Sequence, residues 1–268
     1  MSLKELLQQP FHVPSVPRVV AVLLTELEHP VADLRRITQQ ISTDPALTLR
    51  LLQWANAESV GLRGQISSVS EALALLSLAD VKKVAKEAAA GATLKAVPGI
   101  SLPQFWTYSL NVAKVSRSLA AVVRQNQQAA FTCGLIHGLG ELAMHLAMPE
   151  DMAALDAKVK PLDLKRAKAE RQQFGYCWAS VGAGYAQAWG LPQTLVDALE
   201  HQYAPFENDV YEPLAGVIHL ATWRARCKEA TLDDREMAVT FPGFVGEVLG
   251  LDIDMVLQQD PFDWAAHT

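Results

Sequence analysis

Cysteine is scarce in this chain. The three present, Cys133, Cys177 and Cys227, stand far apart with no CxxC spacing. That excludes a zinc knuckle and a disulfide framework and predicts a reduced, cytoplasmic setting. Excess positive charge is absent as well: 23 Lys and Arg face 29 Asp and Glu, for a net charge of −6. No electrostatic footprint therefore points to nucleic acid or to an anionic membrane surface. Apolar runs are short. ALALLSLADV is followed at once by KKVAKE, far below the roughly 20 residues of a membrane span. The opening MSLKELLQQPFHVPSVP has no apolar core of the kind a secretory signal carries. No GxSxG occurs, and no cysteine stands in a recognisable catalytic context. Strand-type alternation is rare.

Helical periodicity fills the space these absences leave, and the predicted fold is all-α. SVPRVVAVLLTELEHP places Val19, Val22, Leu23 and Leu27 on one face and ends at Pro30. DLRRITQQIS reads as a short amphipathic helix. In TDPALTLRLLQWANAES, Asp44 is an N-cap and Pro45 suits the first helical position. Leu47, Leu51, Leu52, Trp54 and Ala55 would then form a buried face, with Trp54 largely covered. KAVPGISLP, with two prolines and a glycine, is the best internal linker. The chain divides on this reading into a helical layer over 10–98, a helical bundle over 99–228 and a C-terminal helical extension over 229–268, entered through the polar turn TLDDREM.

The stretch FTCGLIHGLGELAMHLAMP, read as one helix starting near Gln127, puts His137, Glu141 and His145 at i, i+4 and i+8 on one stripe. The outer two are about 12 Å apart along the axis, so one ion is not easily shared by all three, and the spacing is not HExxH. The simpler reading is an ion pair of Glu141 with His145 on the helix face, plus a hydrogen-bonded core His137. His201 falls at a helix end and His219 inside an apolar helix, as a satisfied core histidine. Gly134, Gly138 and Gly140, and later Gly182 and Gly184, predict close helix packing. No strand precedes them and no Lys follows in the register of a phosphate loop.

Several stretches together resemble the HDOD family, a non-catalytic branch of the HD-domain metal phosphohydrolases. VPSVPRVVAVLLTEL, ISTDPALTLRLLQWANA and ISSVSEALALLSLADVKKV are similar to its N-terminal half; the second is the most specific, through Asp44, Pro45, Leu47 and the helix-ending Asn56. FWTYSLNVAKVSRSLA, AAFTCGLIHGLGELAM, ERQQFGYCWASVGAGYAQAWGLPQTLVDALEHQY and PLAGVIHLA are similar to its HD-like half, so the resemblance spans roughly residues 10 to 225. It implies an HD-like bundle carrying an N-terminal helical layer. It also implies where metal ligands would stand. Catalytic HD domains have a histidine at the place of Tyr108, a His-Asp pair at His137 and Gly138, further histidines near Trp178 and at His201-Gln202, and an aspartate near Thr222. Tyr, Gly, Trp and Thr do not replace those ligands.

The resemblance accordingly implies a non-enzymatic signalling or regulatory module. It would carry no metal and no cofactor, and would act through an unidentified signalling protein or a small-molecule ligand. One alternative is a divergent metal phosphohydrolase with a new ligand set such as His137, Glu141, His201 and a further carboxylate. Another is a small-molecule sensor reusing the old metal cavity, lined by Tyr108, His137 and Trp178. Against that stands the simpler reading in which Tyr108 and Trp178 fill the volume of the lost ion. An aspartate introduced at Gly138 is expected to point toward Trp178.

Overall fold

In a computed structural model of the chain, residues 1–29, 31–57, 61–91, 96–207 and 210–259 are described. Among them the fold is all-α, with no strand and one isolated bridge between Val97 and Ile100. The short α1 (Leu3–Leu7) packs on the later bundle, where Leu6 is buried with Met144 and Tyr185, while the first layer holds α2 (Pro17–Glu26), α3 (Leu34–Ile41), α4 (Pro45–Ala55), α5 (Val69–Leu75) and α6 (Leu78–Gly91). The bundle holds α7 (Leu102–Val122), α8 (Gln127–Ile136), α9 (Leu139–Ala147), α10 (Pro149–Asp156), α11 (Arg166–Phe174), α12 (Trp178–Ala188), α13 (Gln193–His201) and α14 (Pro213–Glu229). Three short helices close the described chain: α15 (Asp234–Thr240), α16 (Gly243–Leu249) and α17 (Ile253–Gln258). The polar TLDDREM stretch is thus half helix, because Asp233 and Glu236 form a capping box that starts α15.

Local chemistry explains the starts and stops. Asp44 accepts from the backbone N–H of Ala46 and Leu47 at 2.8 and 2.9 Å, and Pro45 occupies the first turn of α4. Its second oxygen takes the N–H of Val16 at 2.6 Å, so this one carboxylate both caps α4 and fastens the extended strap before α2. Asn56 ends α4, and its side-chain amide clamps the returning chain at Ile66 through both N–H and C=O. The α2 face differs from the expected one: Val20 and Leu23 are buried while Val22 is 44% exposed. The predicted stop at Pro30 lies outside the described residues. Trp54 is only half-buried, with Lys83 over its ring at 5.6 Å. It sits at the solvent edge of the face formed by Leu47, Leu51 and Leu52.

One apolar core runs from Val13 through α4, α7, α8, α13 and α14 to Val256. The KAVPGISLP stretch is fastened to the bundle rather than free: Val97 is buried and the Pro98 carbonyl accepts from His145 Nδ1 at 2.8 Å. The glycine pairs allow backbones to touch. A Cβ on Gly134 would stand 2.8 Å from Ala113 Cα on α7, and one on Gly140 would overlap the Trp178 carbonyl oxygen on α12. Close approach of α8 to α7 and of α9 to α12 sets the geometry of what lies between them.

Candidate functional site

The expected single helix breaks at His137 and Gly138. His137 is the C-cap of α8, and Gly138 starts α9. His137, Glu141 and His145 therefore do not share one stripe. The break aims the His137 ring at α7 and α14, where it meets Tyr108 and Arg226, while Glu141 and His145 continue on α9 toward α11.

Hydrogen-bond directions in the first group follow from which atoms can donate. The Gly134 carbonyl, 2.6 Å from His137 Nδ1, only accepts, so Nδ1 carries the proton. Bare Nε2 then accepts from the Tyr108 hydroxyl at 3.0 Å. That hydroxyl in turn accepts from Arg226 Nε at 3.2 Å, and Arg226 Nη1 donates to the Asp163 carbonyl at 2.7 Å. Trp178 closes the side: its ring stands edge-on to His137 at 5.8 Å and faces the Arg226 guanidinium at 5.2 Å. Burial pushes His137 down to about 3, with Arg226 adding to the effect, so the imidazole is neutral.

The remaining expected positions surround this group unevenly. Gly138 faces the Phe105 ring, 3.1 Å from where its Cβ would stand, and not Trp178 as expected. Thr222 lies one turn before Arg226 on α14, buried, its hydroxyl without a partner among the described residues. His201 is half-buried at the end of α13 and makes no hydrogen bond to the group; its neighbour Gln202 reaches in, donating Nε2 to the His137 carbonyl at 3.2 Å. His219 donates Nδ1 to the Gln202 carbonyl at 2.7 Å.

A second buried group was not expected. Arg166, fully buried on α11, meets Glu141 at 2.8 Å, Asp156 at 2.7 Å and Glu170 at 2.7 Å. Glu141 and His145 approach to 3.1 Å as the spacing suggested, but both are buried and the cation is the arginine. His145 gives its Nδ1 proton to Pro98, and burial lowers its pKa, so its Nε2 faces Arg166 as an acceptor. Three carboxylates then share one guanidinium. Burial, reinforced by Glu141, raises the pKa of Glu170 well above its ordinary value. Glu170 also accepts the backbone N–H of Trp178 at 2.8 Å, supplying the cap that Cys177 does not give α12.

A divalent ion does not fit here. The place between α7, α8 and α14 to which the family resemblance assigns an ion holds a neutral imidazole whose lone pair is taken, a phenol and a guanidinium, which repels cations. Among the described residues no group of three or more His, Cys, Asp and Glu is arranged to hold a metal. No helix among them is long and apolar enough to cross a membrane.

The HDOD domain family matches residues 13–205, and the chain belongs to that family. An uncharacterized protein of Treponema pallidum (strain Nichols) is 24% identical over 217 residues, 80% of this chain. The chain spans 42% of the length of that relative. The crystal structure of the MmoQ response regulator from Methylococcus capsulatus is 25% identical, with a TM-score of 0.70 over 92% of this chain and 97% of its own. An HDOD domain protein from Geobacter sulfurreducens, 20% identical with a TM-score of 0.51 over 95% and 90%, shares the fold.

Proposed function

We propose that the protein is a non-enzymatic regulatory module of cytoplasmic signalling, acting through contacts with a partner protein or by sensing a ligand. The observation that carries this reading is the continuous chain from the Asp163 carbonyl through Arg226, Tyr108 and His137 to the Gly134 carbonyl. Phosphoester hydrolysis by an HD-type site needs an ion to acidify a bound water. In this chain a guanidinium and a phenol fill that position, leaving the scaffold without its chemistry. The likeness to a response regulator supports the signalling half of the proposal. A sensor would have to use space other than the Tyr108–His137–Trp178 cluster, which these side chains fill themselves.

The test is elemental analysis of protein purified from manganese- and iron-supplemented cells, with an assay on p-nitrophenyl phosphate and cyclic dinucleotides. The expected result is less than stoichiometric metal and no hydrolysis above a heat-inactivated control. One tightly held ion per chain, lost in His137→Ala, would overturn the proposal and restore the phosphohydrolase reading.

A further inference from the structure

A cleft of about 450 Å³ opens directly outside the plugged site. That lies within the roughly 300–1,000 Å³ of small-molecule pockets. Its floor is Phe105, whose ring also rests against Gly138. Tyr108 and Arg226 lie one turn deeper on α7 and α14, and the Asp163 backbone at the rim accepts from Arg226. Ile100 and Leu162 complete the apolar surface. Ile100 belongs to the stretch between the two helical layers, which His145 fastens at Pro98. An occupant would touch that junction and the cap of the vestigial site at once.

The polar groups of the cleft have opposite signs. Lys160 and Glu229 both line it, and they form no ion pair with each other. Glu229 takes the Gln104 amide on Oε2 at 2.7 Å, while its Oε1 has no protein donor among the described residues. The Lys160 ammonium likewise has no side-chain partner among them. Asp163 adds a second carboxylate at the rim, with Oδ1 accepting the Lys165 N–H at 2.7 Å. A ligand with one charge would gain at the pole of opposite sign and be repelled at the other. A ligand carrying both charges gains at each, and its apolar body covers Phe105, Ile100 and Leu162.

We propose that this cleft binds a small zwitterion with an apolar side chain, a compound of the α-amino acid class, its carboxylate toward Lys160 and its ammonium toward Glu229. The proposal rests on the regulatory reading for what the binding would report. Its own test is calorimetric titration of the full chain with three probes: L-phenylalanine, phenethylamine, which lacks the carboxylate, and 3-phenylpropionate, which lacks the ammonium. L-phenylalanine is expected to bind about fivefold more tightly than either single-charge probe, the scale of one partly shielded charge pair. Lys160→Gln should bring it down to the level of phenethylamine, and Glu229→Gln down to the level of 3-phenylpropionate. Neither substitution touches the buried core, and unchanged thermal melting would verify that both variants fold. No saturable heat with L-phenylalanine, equal affinity for all three probes, or L-phenylalanine affinity unmoved by the two substitutions would each overturn the proposal. None of these outcomes bears on metal content or hydrolysis, which test the regulatory reading separately.

Discussion

Asp44 shows how much one side chain can hold. An ordinary N-cap is worth about 0.5–2 kcal/mol, but this carboxylate also receives the Val16 N–H from the strap. Asp44→Ala is therefore expected to cost about 2–3 kcal/mol, since it leaves a third buried donor unpaired. Asp44→Asn separates the two roles. Its amide oxygen can still cap α4, while its NH2 group faces the Val16 N–H, donor against donor. Urea unfolding should place Asn close to Ala in stability; an Asn variant as stable as wild type would show that the strap contact contributes nothing. Gly138 is the other decisive residue. Gly138→Asp should not create metal binding, because Arg226 and Tyr108 remain in place. It should lower stability by about 1–3 kcal/mol as the new carboxylate presses on Phe105 away from water. Elemental analysis and a thermal melt of that variant check both statements.

At the scale of elements, α9 and α11 are joined by a buried charge cluster rather than by apolar contact alone. Arg166 compensates Glu141, Asp156 and Glu170, which meet it at 2.8, 2.7 and 2.7 Å. Removing one member of a buried group leaves the others uncompensated, a loss of about 3–5 kcal/mol. Arg166→Ala should lose that much in chemical denaturation, and adding Glu141→Gln should recover part of it. Additive losses in the double variant would mean the two side chains do not interact. The α4 cap, the helix starts and the close glycine contacts were legible in sequence because they rest on neighbours within a turn or on residue size. This cluster was not: Arg166 lies 25 positions from Glu141, and periodicity reports faces, not long-range partners. The α8–α9 break escaped because the i, i+4, i+8 spacing of His137, Glu141 and His145 reads straight across Gly138 and Gly140 as one helix. Arg226 left a weak signal, a charged residue three positions after the buried Trp223 on α14.

For the whole molecule, the order of family motifs made the HDOD fold legible, while the occupant of the space beside Tyr108 and His137 was invisible because Arg226 comes from a helix 118 residues away from Tyr108. The pH dependence of stability tests that occupant directly. His137 is held down at about 3 in the fold, against about 6.5 in an unfolded chain. Between those values the unfolded state binds more protons, so stability rises with pH. The contribution of a neutral His137 is fully present above about 6.5 and is lost as pH falls toward about 3. Asp44, raised to about 6 by burial, and Glu170, also raised, act in the opposite sense. The informative quantity is therefore the difference between wild type and His137→Gln. Urea midpoints at pH 7.5, 6.5 and 5.0 should show the advantage of wild type nearly constant over the first step. It should then shrink by roughly 2 kcal/mol over the second, at 1.4 kcal/mol per pH unit. A constant difference across all three would mean that the imidazole titrates normally in the fold. The Tyr108 hydroxyl would then not be donating to it, and the filled site on which the regulatory reading stands would lose its central bond.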